Sequence, residues 1–169
     1  MSDCVTIFDM MQCRERRAAV QKQFRLQYHS AVICFCMNIP GPIKTKATIR
    51  YAFDVGADRL LQTLKENHIV LFAQCMYHEK TGDELLLCAD ADAHTLKNLC
   101  STIEEEHPLG RLFDMDVLDV NGEKCSRPRY RKCLLCDQQA QVCARTRAHD
   151  VDVLWTRINQ MIEDYKPNL

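Results

Sequence analysis

The sequence predicts an α+β protein of mixed helices and strands, with a small Cys/His module at its C-terminal end. Three observations carry this expectation. Runs at helical spacing alternate with short β-branched and aromatic runs as far as Val120. Asn121-Gly122 then gives a strong signal for a tight hairpin turn. Beyond it the composition shifts: Lys124 to Lys132 holds five basic residues and no acid, and a cysteine cluster follows. The shift divides the chain into a sheet domain over 1–132 and a segment over 133–169 whose helix packs back on it, with one continuous domain as the alternative.

The elements follow in order. From Asp9 to about Gln27, Met10, Met11, Ala18, Val20 and Phe24 fall at near-helical spacing against Arg14, Glu15, Arg16 and Arg17, which predicts an amphipathic helix with a basic, solvated face. Ala31–Ile39 is a compact apolar run ended by Pro40-Gly41-Pro42, a buried strand followed by a rigid loop. A helix from Ala47 into Lys65 presents Phe53, Ala57, Leu60, Leu61 and Leu64, with Thr45 or Thr48 as its cap. Ile69–Tyr77 and Glu84–Ala89 read as strands on either side of the turn-like Lys80-Thr81-Gly82-Asp83. Ala93–Glu106 forms a helix with Leu96, Leu99, Cys100 and Ile103 inward. Leu112–Val120 is the next strand, with a short partner around Lys124 and Cys125, and a last amphipathic helix reaches about Tyr165.

The 169 residues carry 22 basic and 23 acidic side chains, a net charge of -1, which argues against a histone-like or tail-like role. Any affinity for phosphate must come from a local pattern. Eleven cysteines cannot all pair internally. The start, Met1-Ser2-Asp3-Cys4, lacks a basic region followed by an apolar run, and nowhere do eighteen apolar residues occur in succession. A reducing compartment, the cytoplasm, is therefore expected, with no membrane partner. Cys34, Cys36 and Cys88 read as strand-core residues.

The segment His107-Pro108-Leu109-Gly110-Arg111-Leu112-Phe113-Asp114-Met115-Asp116-Val117 is the most informative. On a strand, Asp114 and Asp116 project from one face while Phe113, Met115 and Val117 point to the core. Two carboxylates so placed repel each other, and a magnesium ion would relieve the repulsion while gripping phosphate oxygens. The plainer alternative is a half-exposed strand with an acidic outer face. Nearby, Gly110 allows close backbone approach, Arg111 could meet a phosphate with its guanidinium fork, and His107 could hydrogen-bond substrate or simply close a helix. Asp119 lies at the wrong parity to join the pair.

Two further segments read as substrate-binding. Gly41 and Lys44 form a loop after a buried strand, where glycine leaves room and lysine supplies a point charge. It is not a P-loop. Arg127 and Arg129, with Lys124, Arg131 and Lys132, could neutralise a polyphosphate or attract an acidic protein, or form a solvated edge strand. Tyr130 alone makes no stacking platform, so no nucleic-acid partner is expected. Cys133, Cys136, Cys143 and His149 have the spacing of a structural zinc site. A continuous helix placing the three cysteines on one face as packed thiols is the alternative, and Asp137 stands where a glycine would ease a zinc-knuckle turn.

With these residues in view, the chain resembles the apo-citrate lyase phosphoribosyl-dephospho-CoA transferase family. The likeness rests on RERR at Arg14 to Arg17, GPIK at Gly41 to Lys44, HPLGRLFDMDV at His107 to Val117, SRPRYRKCLLC at Ser126 to Cys136 and CARTRAH at Cys143 to His149. The resemblance implies a nucleotidyltransferase-like sheet and a nucleotidyltransferase activity. The enzyme would take triphosphoribosyl-dephospho-CoA, attach its phosphoribosyl-dephospho-CoA part to a serine of the acyl carrier subunit of citrate lyase, and release pyrophosphate. Asp114, Asp116 and Arg111 would be its catalytic residues, in the 1–132 domain. The Gly-Ser motif of the wider superfamily has no secure place here. A third carboxylate is open among Glu84, Asp90, Asp119 and Glu123. The alternatives are the same transfer to the carrier protein of malonate decarboxylase, and a non-catalytic zinc-containing module that binds a carrier.

Overall fold

A computed structural model describes residues 4–127 and 129–166. The first helix, α1, spans Ile7–Tyr28 and begins two residues before the apolar spacing predicts. A capping box sets its start: the Asp9 N–H donates to Thr6 Oγ1 at 3.1 Å, and the Thr6 N–H donates to the Asp9 carboxylate at 2.8 Å. Then come β1 (Val32–Met37), α2 (Ala47–Glu66), β2 (Leu71–Glu79), β3 (Gly82–Ala89) and α3 (Ala93–Glu106). One turn of 3-10 helix, Gly110–Leu112, leads into β4 (Phe113–Leu118), and α4 (Ala140–Thr146) and α5 (Val151–Tyr165) close the chain.

The four strands form one sheet in the order β2-β3-β1-β4, and every neighbouring pair is antiparallel. Its two faces are covered differently. Ile33, Phe35, Leu85, Leu87, Phe113, Met115 and Val117 point into the main core, which α2, α3 and α5 complete with Phe53, Leu60, Leu96, Ile158 and Ile162. On the opposite face Val32, Cys34, Leu86 and Cys88 form a smaller core with Phe24 of α1. No helix among the described residues is long and apolar enough to cross a membrane.

Several sequence expectations are corrected. The cap of α2 is Lys46, which makes no side-chain cap bond, rather than Thr45 or Thr48. The hairpin partner at Lys124 and Cys125 shrinks to a single bridge between Leu118 and Lys124, because Asp119 turns the chain. Its Oδ1 accepts the N–H groups of Asn121 and Glu123 at 2.9 and 2.8 Å. The last helix, α5, ends at Tyr165 as expected, and the short α4 precedes it with His149 in the break between them.

As an edge strand, β4 would expose unpaired backbone groups, and side chains meet them instead. Lys97 of α3 donates to the Met115 carbonyl at 2.8 Å, and Glu104 of α3 accepts the Met115 N–H at 2.9 Å. Arg131 reaches the Phe113 carbonyl at 2.6 Å, and the Cys125 N–H reaches that of Val117 at 2.8 Å. Both α3 side chains are buried. The 126–131 segment is thereby drawn along the edge of β4, beside its two aspartates.

Candidate active site

Burial along β4 alternates strictly: Phe113, Met115 and Val117 are buried, and Asp114 and Asp116 are half-buried on the other face. Both carboxylates line a cavity of about 800 Å³. Five cationic side chains (Lys97, Lys124, Arg127, Arg129 and Arg131) and three carboxylates (Asp114, Asp116 and Glu104) share its wall, an excess of positive charge suited to an anion.

Burial and then the neighbouring Asp116 charge push the Asp114 carboxyl above its ordinary range, against the pull of Arg131, Lys124 and Lys97. Asp116 accepts a hydrogen bond from the Lys124 ammonium at 2.7 Å. The pair is thus two hard oxygen donors under mutual repulsion with a cation drawn to one of them, a donor set that fits magnesium. On β1, Cys34 stands opposite Asp116 and Cys36 opposite Asp114. The Cys36 thiol, 3.9 Å from Asp114 Oδ2, is driven well above its usual pKa by burial and stays protonated.

Glu104 holds the basic segment in place. Besides the Met115 N–H, its carboxylate takes Arg131 at 2.7 Å and Arg127. Burial raises its pKa, opposed by Arg131, by the Met115 N–H and by Arg127. Glu104→Gln keeps an acceptor for Met115 but removes the charge that both guanidiniums face. It should lower unfolding stability by about 3 kcal/mol, read from the denaturant midpoint. Neither Lys97 nor Glu104 belongs to the expected site. Their signal was two charges seven residues apart within the stripe of Leu96, Cys100 and Ile103, on a face the pattern had made apolar.

The remaining sequence-predicted residues are dispersed. Arg127 and Arg129 line the aspartate cavity. Arg111 lines a neighbouring cavity and donates to the Lys132 carbonyl. Gly41 and Lys44 lie beside the start of α1, where the Lys44 ammonium donates to the Ile39 carbonyl at 2.6 Å. Gly41 has φ +76, and a Cβ there would stand 3.0 Å from Val151. His107 closes α3: its Nδ1 accepts the Leu109 N–H at 3.0 Å, and its ring packs on Phe113 and Tyr165. Gly110 is buried, and a Cβ there would come within 2.5 Å of the Glu104 carbonyl oxygen and 2.7 Å of that of Ile103. The close approach it permits is to α3. Gly110→Ala should cost about 1–3 kcal/mol in chemical unfolding, because a helix backbone cannot swing aside as a side chain can.

Of the open third carboxylates, Glu84 shares a cross-strand row with Cys36 and Asp114 but is buried under α1, ion-paired with Arg16 at 2.9 Å and with Arg17. Asp119 is engaged in its turn. Asp90 lies by the end of β3, and Glu123 is exposed in the hairpin.

A second centre lies in the C-terminal segment. The ligand atoms of Cys133, Cys136, Cys143 and His149 all lie within 4.8 Å of one another. Cys136 Sγ is 3.6 Å from Cys143 Sγ and 3.4 Å from His149 Nε2. Cys143 sits on α4 and the other three in loops, so the single-helix alternative is excluded. Asp137 does not obstruct the turn: its backbone is not left-handed, and its side chain pairs with Lys132 at 3.0 Å. The Leu135 N–H points to Cys133 Sγ at 3.5 Å, the kind of backbone donor that supports a metal thiolate. This cluster suits a structural zinc ion.

Comparison with known proteins accounts for nearly the whole chain. The sequence profile of the family described as CitX, apo-citrate lyase phosphoribosyl-dephospho-CoA transferase, matches residues 5–165. A probable apo-citrate lyase phosphoribosyl-dephospho-CoA transferase of Vibrio cholerae is 35% identical over 167 residues, covering 95% of this chain and 93% of that protein. An apo-citrate lyase phosphoribosyl-dephospho-CoA transferase of Escherichia coli O157:H7 is 34% identical, covering 95% of this chain and 90% of that protein. Protein CitXG of Haemophilus influenzae is 30% identical over 95% of this chain, which corresponds to 36% of that longer protein.

Proposed function

The chain belongs to the apo-citrate lyase phosphoribosyl-dephospho-CoA transferase family, and from that premise we propose that it is a nucleotidyltransferase that modifies a carrier protein. It takes triphosphoribosyl-dephospho-CoA and joins the phosphoribosyl-dephospho-CoA group to a serine of the acyl carrier subunit of citrate lyase. The serine oxygen attacks the phosphorus nearest the ribose, the bond from that phosphorus to the outgoing bridging oxygen breaks, and pyrophosphate leaves. The serine proton passes to a carboxylate or to solvent. The observation that carries this reading is the carboxylate pair on one face of β4, opening into a cavity with excess positive charge.

Asp114 and Asp116 would hold magnesium, which when bound supplies positive charge to the triphosphate. The residues around them act by position. Arg127 and Arg131, braced on Glu104, present a fixed cationic wall to the leaving pyrophosphate. Lys124 stands on the opposite strand of the turn, tied to Asp116 until an anion competes for it. Arg129, exposed on the same wall, is placed to meet either phosphate or the acidic surface of a carrier. An antiparallel sheet with two aspartates of like parity on one strand agrees with a nucleotidyltransferase-like architecture.

The test is direct: incubate the protein with magnesium, the triphosphate donor and apo-carrier, then weigh the intact carrier. A mass increase confined to one serine, with one pyrophosphate released per carrier, is expected. A carrier of unchanged mass under conditions where the donor is intact would refute the reading.

A further inference from the structure

Beside the aspartate cavity lies a second one of about 530 Å³, and Asn38, Ala140 and Ala144 are common to the walls of both. Its character is different. Leu112, Leu134, Leu154 and Ile158 give it aliphatic sides, and two arginines, Arg111 and Arg147, are among its lining residues, the Arg111 guanidinium bonded to the Lys132 carbonyl. Arg111 is half-buried, and burial lowers its pKa. Arg147 caps the C-terminus of α4 in the left-handed region, with φ 50 and ψ 45. Glycine takes that conformation without strain, whereas an arginine there costs some backbone energy.

An aliphatic lining accepts a purine, and arginine side chains accept the oxygens of a diphosphate. We infer that this cavity seats the nucleoside diphosphate element of the donor, the base between the aliphatic side chains and the diphosphate on Arg111 and Arg147. This rests on the proposed transfer reaction and assigns Arg111 to the part of the donor that does not react. The shared wall lets one extended donor reach from the second cavity into the first, so binding energy far from the reacting phosphorus fixes its position. The cluster of Cys133, Cys143 and His149 contributes to the same wall, and a metal bound there would keep it in shape.

Equilibrium binding to the full chain tests the inference, with dephospho-CoA, ADP, pantetheine and inorganic pyrophosphate as separate probes. Dephospho-CoA and ADP should bind competitively, and pantetheine, which lacks the nucleotide, should not displace them. Arg147→Ala should weaken both nucleotides about tenfold or more, and weaken pyrophosphate, which can also seat in the aspartate cavity, by less. Leu154→Trp, which fills the cavity from α5, should exclude dephospho-CoA, with circular dichroism reporting whether the fold is kept. Pantetheine displacing ADP, or nucleotide affinity unmoved by Arg147→Ala, would overturn the inference. So would a Leu154→Trp protein that loses apo-carrier affinity but keeps nucleotide. The two readings fail separately: transfer without Arg147 dependence leaves the reaction standing alone, and Arg147-dependent ADP binding without transfer leaves the cavity standing alone.

Discussion

Asp116→Asn is expected to lower transfer to the carrier by a factor of at least about 10²–10³ while leaving the fold in place. The asparagine keeps the volume and one acceptor, so the strand pairing of Asp116 with Cys34 and the core contacts of Met115 and Val117 need not change. What it loses is one of two charges that hold the cation against the triphosphate. Its bond to Lys124 is a partly exposed ion pair, whose loss costs about 0–1 kcal/mol of stability. Asp114→Asn supplies the sharper contrast. Asp114 is half-buried, and its charge is disfavoured by burial and by Asp116. Removing that charge should lower transfer as severely yet leave stability equal or slightly raised, as when a strained functional group is relieved. Steady-state transfer and thermal unfolding on the same two proteins make the comparison. Full transfer by either variant would end the assignment of the pair.

The features legible in the sequence were those with a local period. Alternation along β4 placed the aspartates on one face because Phe113, Met115 and Val117 had to face the core. The Cys/His spacing was equally readable, since all four ligands come from one short stretch of chain. Long-range consequences were not readable. Nothing local told that β4 would be an edge strand, and only an edge gives Lys97 and Glu104 backbone groups to satisfy. The close approach that Gly110 permits is to the backbone of α3, which no local pattern announces, while His107 takes the helix-closing alternative its position allows. Arg111 is three residues from Asp114 in the sequence, a proximity that alone would put it beside the pair. The turn of 3-10 helix between them sends its side chain into the neighbouring cavity.

Removing the metal from the C-terminal cluster should cost more stability than Glu104→Gln or Gly110→Ala. Three thiolates and an imidazole without a cation repel or must take up protons, which loosens the loop that carries Cys133 and Cys136. The chain should not unfold altogether, however, because α5 is anchored independently: Ile158 and Ile162 lie in the main core. Stabilisation by a ligand at a thousand times its dissociation constant is about 4 kcal/mol, which for a chain of this size corresponds to a fall of about 10 °C in Tm on chelation. Zinc content should be near one per chain by elemental analysis, and Cys136→Ser should reduce both the content and the Tm. If α4 and the loop before it also wall the nucleotide cavity, the chelated protein should lose dephospho-CoA affinity while keeping its affinity for pyrophosphate. A protein purified under reducing conditions with no zinc, and a Tm indifferent to chelator, would leave the four residues as packed thiols and a surface histidine.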